Sequence, residues 1–155
     1  MERIIKEINH LLIQKNKTVA TAESCTGGMV AELLTRLKGS SKYFLLGVIP
    51  YSNLAKEKIL KLPHRCLLKE GAVSIKTTQF LAHWVRKSIR ADIGIGITGF
   101  AGPQAENKIP VGTVFIAFDT PRRKICRSFY FKGNRDTVRR KAALKTLQLL
   151  KKIIR

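Results

Sequence analysis

Residues 18–28, Thr-Val-Ala-Thr-Ala-Glu-Ser-Cys-Thr-Gly-Gly, join a short apolar run to a small polar loop. The run predicts a buried strand over 18–22, and the residues after the glycines predict a helix to about Leu37. A serine at a strand end, followed by glycines and a helix, lies beside backbone N–H groups that can hold an oxyanion or a phosphate. Because glycines also make tight turns and hydroxyls also cap helices, the pattern alone leaves catalytic and structural interpretations open.

The rest of the chain alternates helices with strands. Helices are predicted over 2–15, from 53 to about 62, from 71–74 to about 90, and from about 134 to the end; strands are predicted over 44–50, 93–97, 111–118 and 124–131. This order predicts one α/β domain over residues 1–155, with a largely parallel sheet and one antiparallel strand.

Composition indicates a folded protein with an excess of positive charge. The chain has 155 residues, of which 45% are hydrophobic and 26% charged, the balance of a globular protein. Thirty Lys and Arg against ten Asp and Glu give a net charge of +20. Much of the excess lies in 122–155, where Asp136 is the one acid. The charge indicates either weak contact with nucleic acid or a solvated basic surface.

Several function classes are disfavoured by what the sequence lacks. No apolar run is long enough to span a membrane and no signal segment is evident at Met1, so no membrane association is expected. Three widely spaced cysteines are typical of reduced thiols in the cytoplasm. The histidines show no metal-ligand spacing, and no phosphate-binding or dinucleotide-binding glycine motif occurs, so we expect neither a metal nor a cofactor.

Three polar loops follow the predicted parallel strands. They cover 24–28, 51–53 and 98–103. Ligands bind at this edge of open α/β sheets, where loops converge and helices present their N-termini. Arg135 and Arg139 lie one helical turn apart on the apolar side of the last helix. Either a bound phosphate meets them, or they reach past the helix end to water or an acid.

Five ordered motifs resemble those of the CinA C-terminal domain family over nearly the whole chain. They are Ala-Glu-Ser-Cys-Thr-Gly-Gly at 22–28, Tyr-Ser-Asn-Leu-Ala-Lys at 51–56, Gly-Ala-Val-Ser at 71–74, Thr-Gly-Phe-Ala-Gly-Pro at 98–103 and Pro-Val-Gly-Thr-Val at 110–114. The resemblance implies a three-layer α/β/α sandwich on a mixed, mostly parallel five-strand sheet. It also implies a stand-alone nicotinamide mononucleotide deamidase of pyridine nucleotide recycling, acting as a homo-oligomer on a small nucleotide substrate.

The same resemblance implies catalytic roles for three residues. Ser24 attacks the carboxamide, and Lys56 serves as the base, which requires a pKa well below that of a free lysine. Tyr51 relays a proton or orients Lys56.

Substrate contacts are implied for a second set. Backbone N–H groups around Thr26, Gly27 and Gly28 hold the oxyanion, and Arg135 and Arg139 hold the 5′-phosphate. The remaining expected substrate-binding residues are Ser52, Asn53, Thr98 and Gly99.

The chain departs from the family pattern in a few places, and other functions stay open. Residues 104–109 contain no glycine, Pro50 precedes Tyr51, and Asn134 replaces an acid. One alternative is a catalytically reduced relative that binds nucleotide or nucleic acid through its basic surface. Another is an amidase for a different pyridine carboxamide. Should Ser24 not be the nucleophile, Cys25 is the next candidate.

Overall fold

A computed structural model describes residues 1–104 and 109–155. Its helices and strands follow the predicted order and are α1 (Glu2–Gln14), β1 (Val19–Glu23), α2 (Met29–Thr35), β2 (Phe44–Val48), α3 (Asn53–Lys58), α4 (His64–Glu70), α5 (Ile75–Ser88), β3 (Ile93–Gly99), β4 (Thr113–Asp119), β5 (Lys124–Tyr130) and α6 (Arg135–Ile154). A short 3₁₀ turn covers Ser40–Lys42.

The five strands form one mixed sheet in the order β2-β1-β3-β4-β5. Strand β1 pairs in parallel with β2 and with β3, whereas β4 is antiparallel to both β3 and β5. Strand β5 therefore runs in the same direction as β1, β2 and β3. Within this sheet β4 is the one reversed strand, which confirms the mostly parallel sheet predicted from the sequence.

Helices cover both faces of the sheet. On one face α1, α2 and α6 pack against the sheet's branched side chains, with Ile8, Leu34 and Leu147 all at most 2% exposed. On the other face α5 packs Leu81 and Val85 against the small residues of β1. The expected three-layer arrangement is confirmed, and the apolar burial on both faces stabilises it.

Strand β3 has two chemically different faces. Its isoleucines point into the α1/α2/α6 side of the core, and Gly94 and Gly96 face α5. A Cβ on Gly94 would come within 2.1 Å of the Ala82 carbonyl oxygen, and one on Gly96 within 2.3 Å of the Thr78 carbonyl oxygen. The glycines thus allow the backbone of α5 to lie directly on the strand.

The structure differs from the sequence prediction at several element ends. Strand β1 extends to Glu23, α2 ends at Thr35 rather than about Leu37, and β2 ends at Val48 rather than Pro50, where proline supplies no N–H to the ladder. Helix α4 was not predicted, because it has seven residues, of which Leu67 alone is buried, and so shows no periodic apolar face. Residues 105–108 of the glycine-free segment lie outside the described residues.

Candidate active site

The three predicted loops meet at one edge of the sheet. Ala22 lies opposite Val48 and Glu23 opposite Ile97, so β1, β2 and β3 end side by side. Because β5 runs in the same direction, helix α6 also begins at this edge. The edge therefore brings together Ser24, the residues after β2 and the end of β3, as expected for loops that follow parallel strands, and adds the first turn of α6.

The serine loop is fastened to helix α2 by a buried carboxylate. Glu23 is 0% exposed. Its Oε2 accepts hydrogen bonds from the Thr26 hydroxyl (2.7 Å) and the Val30 N–H (3.0 Å), and its Oε1 accepts one from the Ala31 N–H (2.8 Å). The carboxylate thus accepts hydrogen bonds from the backbone N–H groups at the start of α2, where a negative charge also complements the helix dipole.

The glycines free a different set of backbone donors. Gly27 and Gly28 have φ values of +61° and +90°, which favour glycine. The Gly27 N–H donates to the Ser24 carbonyl, whereas in the described chain no backbone hydrogen bond uses the N–H of Thr26 or Gly28. Together with the N–H of Cys25, which is likewise unused there, they neighbour the half-buried Ser24 and are candidate donors for an oxyanion.

Lys56 lies under the loops as a buried cation. Its side chain is 2% exposed, and its Nζ donates to the Tyr51 carbonyl at 3.2 Å. No carboxylate forms an ion pair with it among residues 1–104 and 109–155. Burial lowers the pKa of Lys56, while the neighbouring Cys25 acts weakly in the opposite direction. The shift has the direction that a lysine base requires, and that role stays a prediction.

The Cys25 side chain points into the protein, where its thiol has low reactivity. Its side chain is 6% exposed. Burial, with the nearby Glu23 charge, raises the pKa of its thiol to about 12, although Arg135 opposes this. A buried thiol with a raised pKa is a poor nucleophile, because the thiolate is the reactive form.

Tyr51 links two of the loops to α6. Its phenol oxygen accepts a hydrogen bond from Arg135, whose other guanidinium nitrogen donates to the Gly102 carbonyl at 2.7 Å. The Tyr51 group that contacts Lys56 is the backbone carbonyl rather than the phenol. A substitution of the Tyr51 side chain therefore removes a hydrogen bond of Arg135 directly, whereas it affects Lys56 only through the backbone.

Arg139 lies against the serine loop. It donates to the Thr26 carbonyl at 3.1 Å, and its guanidinium would lie 3.1 Å from a Cβ on Gly27. Both arginines bind neutral oxygens, and neither forms an ion pair with an acid in the described residues. Pairing with a neighbouring acid is therefore not seen among the described residues, and a bound phosphate stays a prediction.

The other expected substrate-binding residues fall into three positions. The Ser52 side chain caps α3 by accepting from the Ala55 N–H at 3.0 Å, and Asn53 is exposed at the start of that helix. Thr98 is 0% exposed and shares a 2.7 Å hydrogen bond with the Thr78 hydroxyl. Gly99, at the end of β3, lies so close to β4 that a Cβ would approach the Thr113 carbonyl within 2.7 Å.

Two structural residues of the site escaped the sequence prediction. Thr78 donates to the Ser74 carbonyl (2.6 Å), so the hydroxyl proton between the two threonines comes from Thr98. Glu23 was expected at the start of the loop without a role. The sequence did contain a signal for its role, because Glu23 ends an apolar strand and an acidic residue is rarely buried unless it is paired.

Among the described residues no three His, Cys, Asp or Glu side chains are grouped as a metal site would require. None of the helices described combines the length and the apolar character needed to cross a bilayer.

Comparison with known proteins identifies the family. A family model for the CinA C-terminal domain matches residues 1–154. The chain is 40% identical over 148 residues to a CinA-like protein of Desulfotalea psychrophila and 44% identical over 145 residues to one of Anaeromyxobacter dehalogenans. The matches cover 95% and 93% of this chain and 36% of each relative, so the chain spans little more than a third of their length. The chain belongs to the CinA family.

Solved structures of CinA-type proteins share the fold. The competence damage-inducible protein A of Klebsiella pneumoniae superposes with a TM-score of 0.93 at 30% identity, covering 97% of this chain and 94% of that one. The competence/damage inducible protein of Agrobacterium tumefaciens gives a TM-score of 0.93 at 30% identity, covering 99% and 95%. The CinA fold therefore includes the sheet edge at which Ser24, Lys56 and the two arginines lie in this chain.

Proposed function

We propose that this CinA-family chain is an amidohydrolase that converts nicotinamide mononucleotide to nicotinate mononucleotide and ammonia. The observation that carries the proposal is a buried lysine that donates to the Tyr51 carbonyl, neighbours Cys25 of the serine loop and has no acidic partner among the described residues. An uncompensated buried cation costs stability, so its retention favours a chemical role for Lys56.

The reaction proceeds through an acyl-enzyme. Ser24 Oγ attacks the carboxamide carbon while neutral Lys56 accepts the hydroxyl proton. The N–H groups of Thr26 and Gly28 bind the oxyanion of the tetrahedral intermediate. As the C–N bond breaks, Lys56 returns the proton to the leaving nitrogen, and ammonia departs. Water, activated by the same lysine, then hydrolyses the Ser24 ester, releases the carboxylate and restores the enzyme.

Charge and hydrogen bonding support a nucleotide as the substrate. Arg135 and Arg139 flank the serine loop, and each has neutral partners that a phosphate can replace with stronger, charge-assisted bonds. Tyr51 holds Arg135 at the mouth of the site, with 55% of its own surface exposed. A 5′-phosphate on these arginines leaves the pyridine ring to reach inward toward Ser24.

The test is ammonia release from nicotinamide mononucleotide by the purified chain. Ser24→Ala is expected to lower kcat by more than about 10³-fold, the scale seen when a nucleophile is removed. Cys25→Ala and the exposed-site control Ser41→Ala are expected to keep wild-type turnover. Turnover that survives in Ser24→Ala but not in Cys25→Ala moves the nucleophile to Cys25.

Two further outcomes would separate the competing functions. Stronger turnover of a different pyridine carboxamide, competing with nicotinamide mononucleotide, would change the substrate and keep the chemistry. No turnover by a folded wild-type chain would contradict the amidohydrolase proposal and favour a reduced relative that only binds nucleotide or nucleic acid.

A further inference from the structure

A continuous cationic groove runs along β5 and the C-terminal half of α6. Three cavities of about 580, 160 and 310 Å³ form it. Arg123 and Ile153 line both the first and the second cavity, and Leu149 and Lys152 line both the second and the third. The groove therefore begins where the β4–β5 turn meets the end of α6 and continues between β5 and α6 back to Lys145, and none of its lining residues belongs to the candidate active site.

The charge of the groove is almost entirely of one sign. Nine Lys and Arg side chains line the three cavities, and among the described lining residues Asp92 is the one acid. Asp92 is already satisfied, because it accepts from Lys17 Nζ (3.0 Å) and from the Thr18 N–H and hydroxyl (both 2.9 Å). At the other end Lys151 pairs with Glu7. The remaining seven cations have no acid partner within the described chain.

Cations alternate with apolar side chains on both walls. On the strand side, Arg123 of the β4–β5 turn and Ile125 and Arg127 of β5 have the same parity and line one cavity, and Phe129 follows them on the same face outside the three cavities. On α6, Lys145, Leu149 and Lys152 share one stripe facing that strand. The Lys145 ammonium lies 5.1 Å above the Phe129 ring, whose stacked neighbour is Phe131 at 6.1 Å.

We propose that this groove binds single-stranded nucleic acid without sequence preference. Proteins that bind single strands combine a cationic track for the backbone with aromatic or other apolar surfaces for unstacked bases. In this groove the apolar surface between the cations comes from Ile125, Leu149 and Ile153. The cavities of about 580 and 310 Å³ fall in the size range of ligand pockets, and the smaller one of about 160 Å³ joins them. The bases of a duplex are stacked inside it and cannot contact the apolar side chains that line the groove. An acidic peptide offers neither bases to stack nor regularly spaced phosphates.

The experiment measures the anisotropy of a fluorescein-labelled 20-nucleotide oligo(dT) titrated with the full chain at several salt concentrations. The groove variant carries Arg123→Gln, Arg127→Gln, Lys145→Gln and Lys152→Gln. Its matched control carries four neutralisations at exposed lysines outside the groove, namely Lys38→Gln, Lys42→Gln, Lys69→Gln and Lys87→Gln. Both variants lose the same net charge, so only the position of the charge differs.

Wild type and control are expected to bind alike, and the groove variant at least about tenfold more weakly in 50 mM salt. The slope of log K against log salt should flatten by about 0.7 for each phosphate contact that is lost. Circular dichroism checks folding. Should the quadruple variant misfold, the double variant Arg123→Gln/Arg127→Gln, whose side chains are both exposed, is expected to reproduce the direction of both effects.

Three results would overturn the proposal. Equal weakening in the control variant would reduce the effect to net charge. A duplex of equal length that binds as tightly as the single strand would remove the role of unstacked bases. Competition by polyglutamate at the same charge concentration would mean that the groove accepts any polyanion. Turnover by the active site is independent of all three, since the groove variant leaves Ser24, Lys56, Arg135 and Arg139 unchanged.

Discussion

Replacing Glu23 with glutamine is expected to loosen the serine loop from α2. The carboxylate accepts three hydrogen bonds through its two oxygens, and glutamine keeps one of those oxygens. If the amide oxygen retains Thr26 and Val30, the amide NH₂ faces the Ala31 N–H, so that donor meets donor. The substitution therefore removes one charge-assisted hydrogen bond, leaves the Ala31 N–H without its acceptor and removes the negative charge at the start of α2.

The magnitude follows from those contacts. A hydrogen bond to a charged group contributes about 1.5–3 kcal/mol, and loss of the charge from the helix N-terminus costs roughly a further 0.3–1 kcal/mol. We expect the free energy of unfolding to fall by about 2–4 kcal/mol. For a domain of this length that corresponds to a melting temperature lower by roughly 4–16 °C.

The assay is urea and thermal unfolding followed by far-UV circular dichroism. The control is Glu32→Gln in the same helix, since that carboxylate is 56% exposed and pairs with Arg36 on the surface. Its loss should cost less than about 1 kcal/mol. A Glu23→Gln protein within about 0.5 kcal/mol of wild type would refute the view that this carboxylate holds the loop in place.

Two further predictions concern the cations of the site. Lys56→Met should abolish turnover yet raise the free energy of unfolding at neutral pH by about 1–4 kcal/mol, the gain seen when buried charge gives way to apolar side chains. The folded-state pKa of Lys56 lies below 10.5, so between the folded-state pKa and 10.5 the unfolded chain binds more protons than the folded chain. The free energy of unfolding of the wild type and its kcat/KM should therefore both rise as the pH increases through the folded-state pKa. A Lys56→Met variant that is less stable than wild type at every pH would contradict this. Arg139→Ala should raise KM for nicotinamide mononucleotide far more than it changes the melting temperature; an unchanged KM would remove the phosphate role, and Arg140→Ala, on the exposed face, serves as the control.

Local sequence carried most of the information about the sheet edge. The strand–loop–helix unit at 18–28, the loops after β2 and β3, and the start of α6 all follow from hydrophobic periodicity and turn residues, which are local signals. The general rule for parallel strands then placed them together. Their roles in catalysis stay predictions, as do the roles expected for Ser52, Asn53 and Gly99.

Features that depend on packing between distant segments were not predictable in the same way. Lys56 is buried and Lys58 is exposed, and the sequence of their shared helix does not distinguish the two lysines. The Thr98 hydroxyl lies against Thr78 because β3 and α5 approach closely, twenty residues apart along the chain. The Ile-Gly alternation of β3 did contain that signal, since glycine at every second position leaves one face of a strand bare.

Because the face of β3 that carries Gly94 and Gly96 has no side chains, this strand and α5 have to be exchanged together in protein engineering. With the Ala82 and Thr78 carbonyls where the Cβ atoms of Gly94 and Gly96 would be, even a methyl group on either glycine forces the helix away from the strand. A chimera that takes α5 from a relative with a bulkier strand will therefore misalign unless β3 travels with it. Recombination within the CinA fold should succeed when crossovers keep residues 74–99 from one parent and fail when they fall between the helix and the strand.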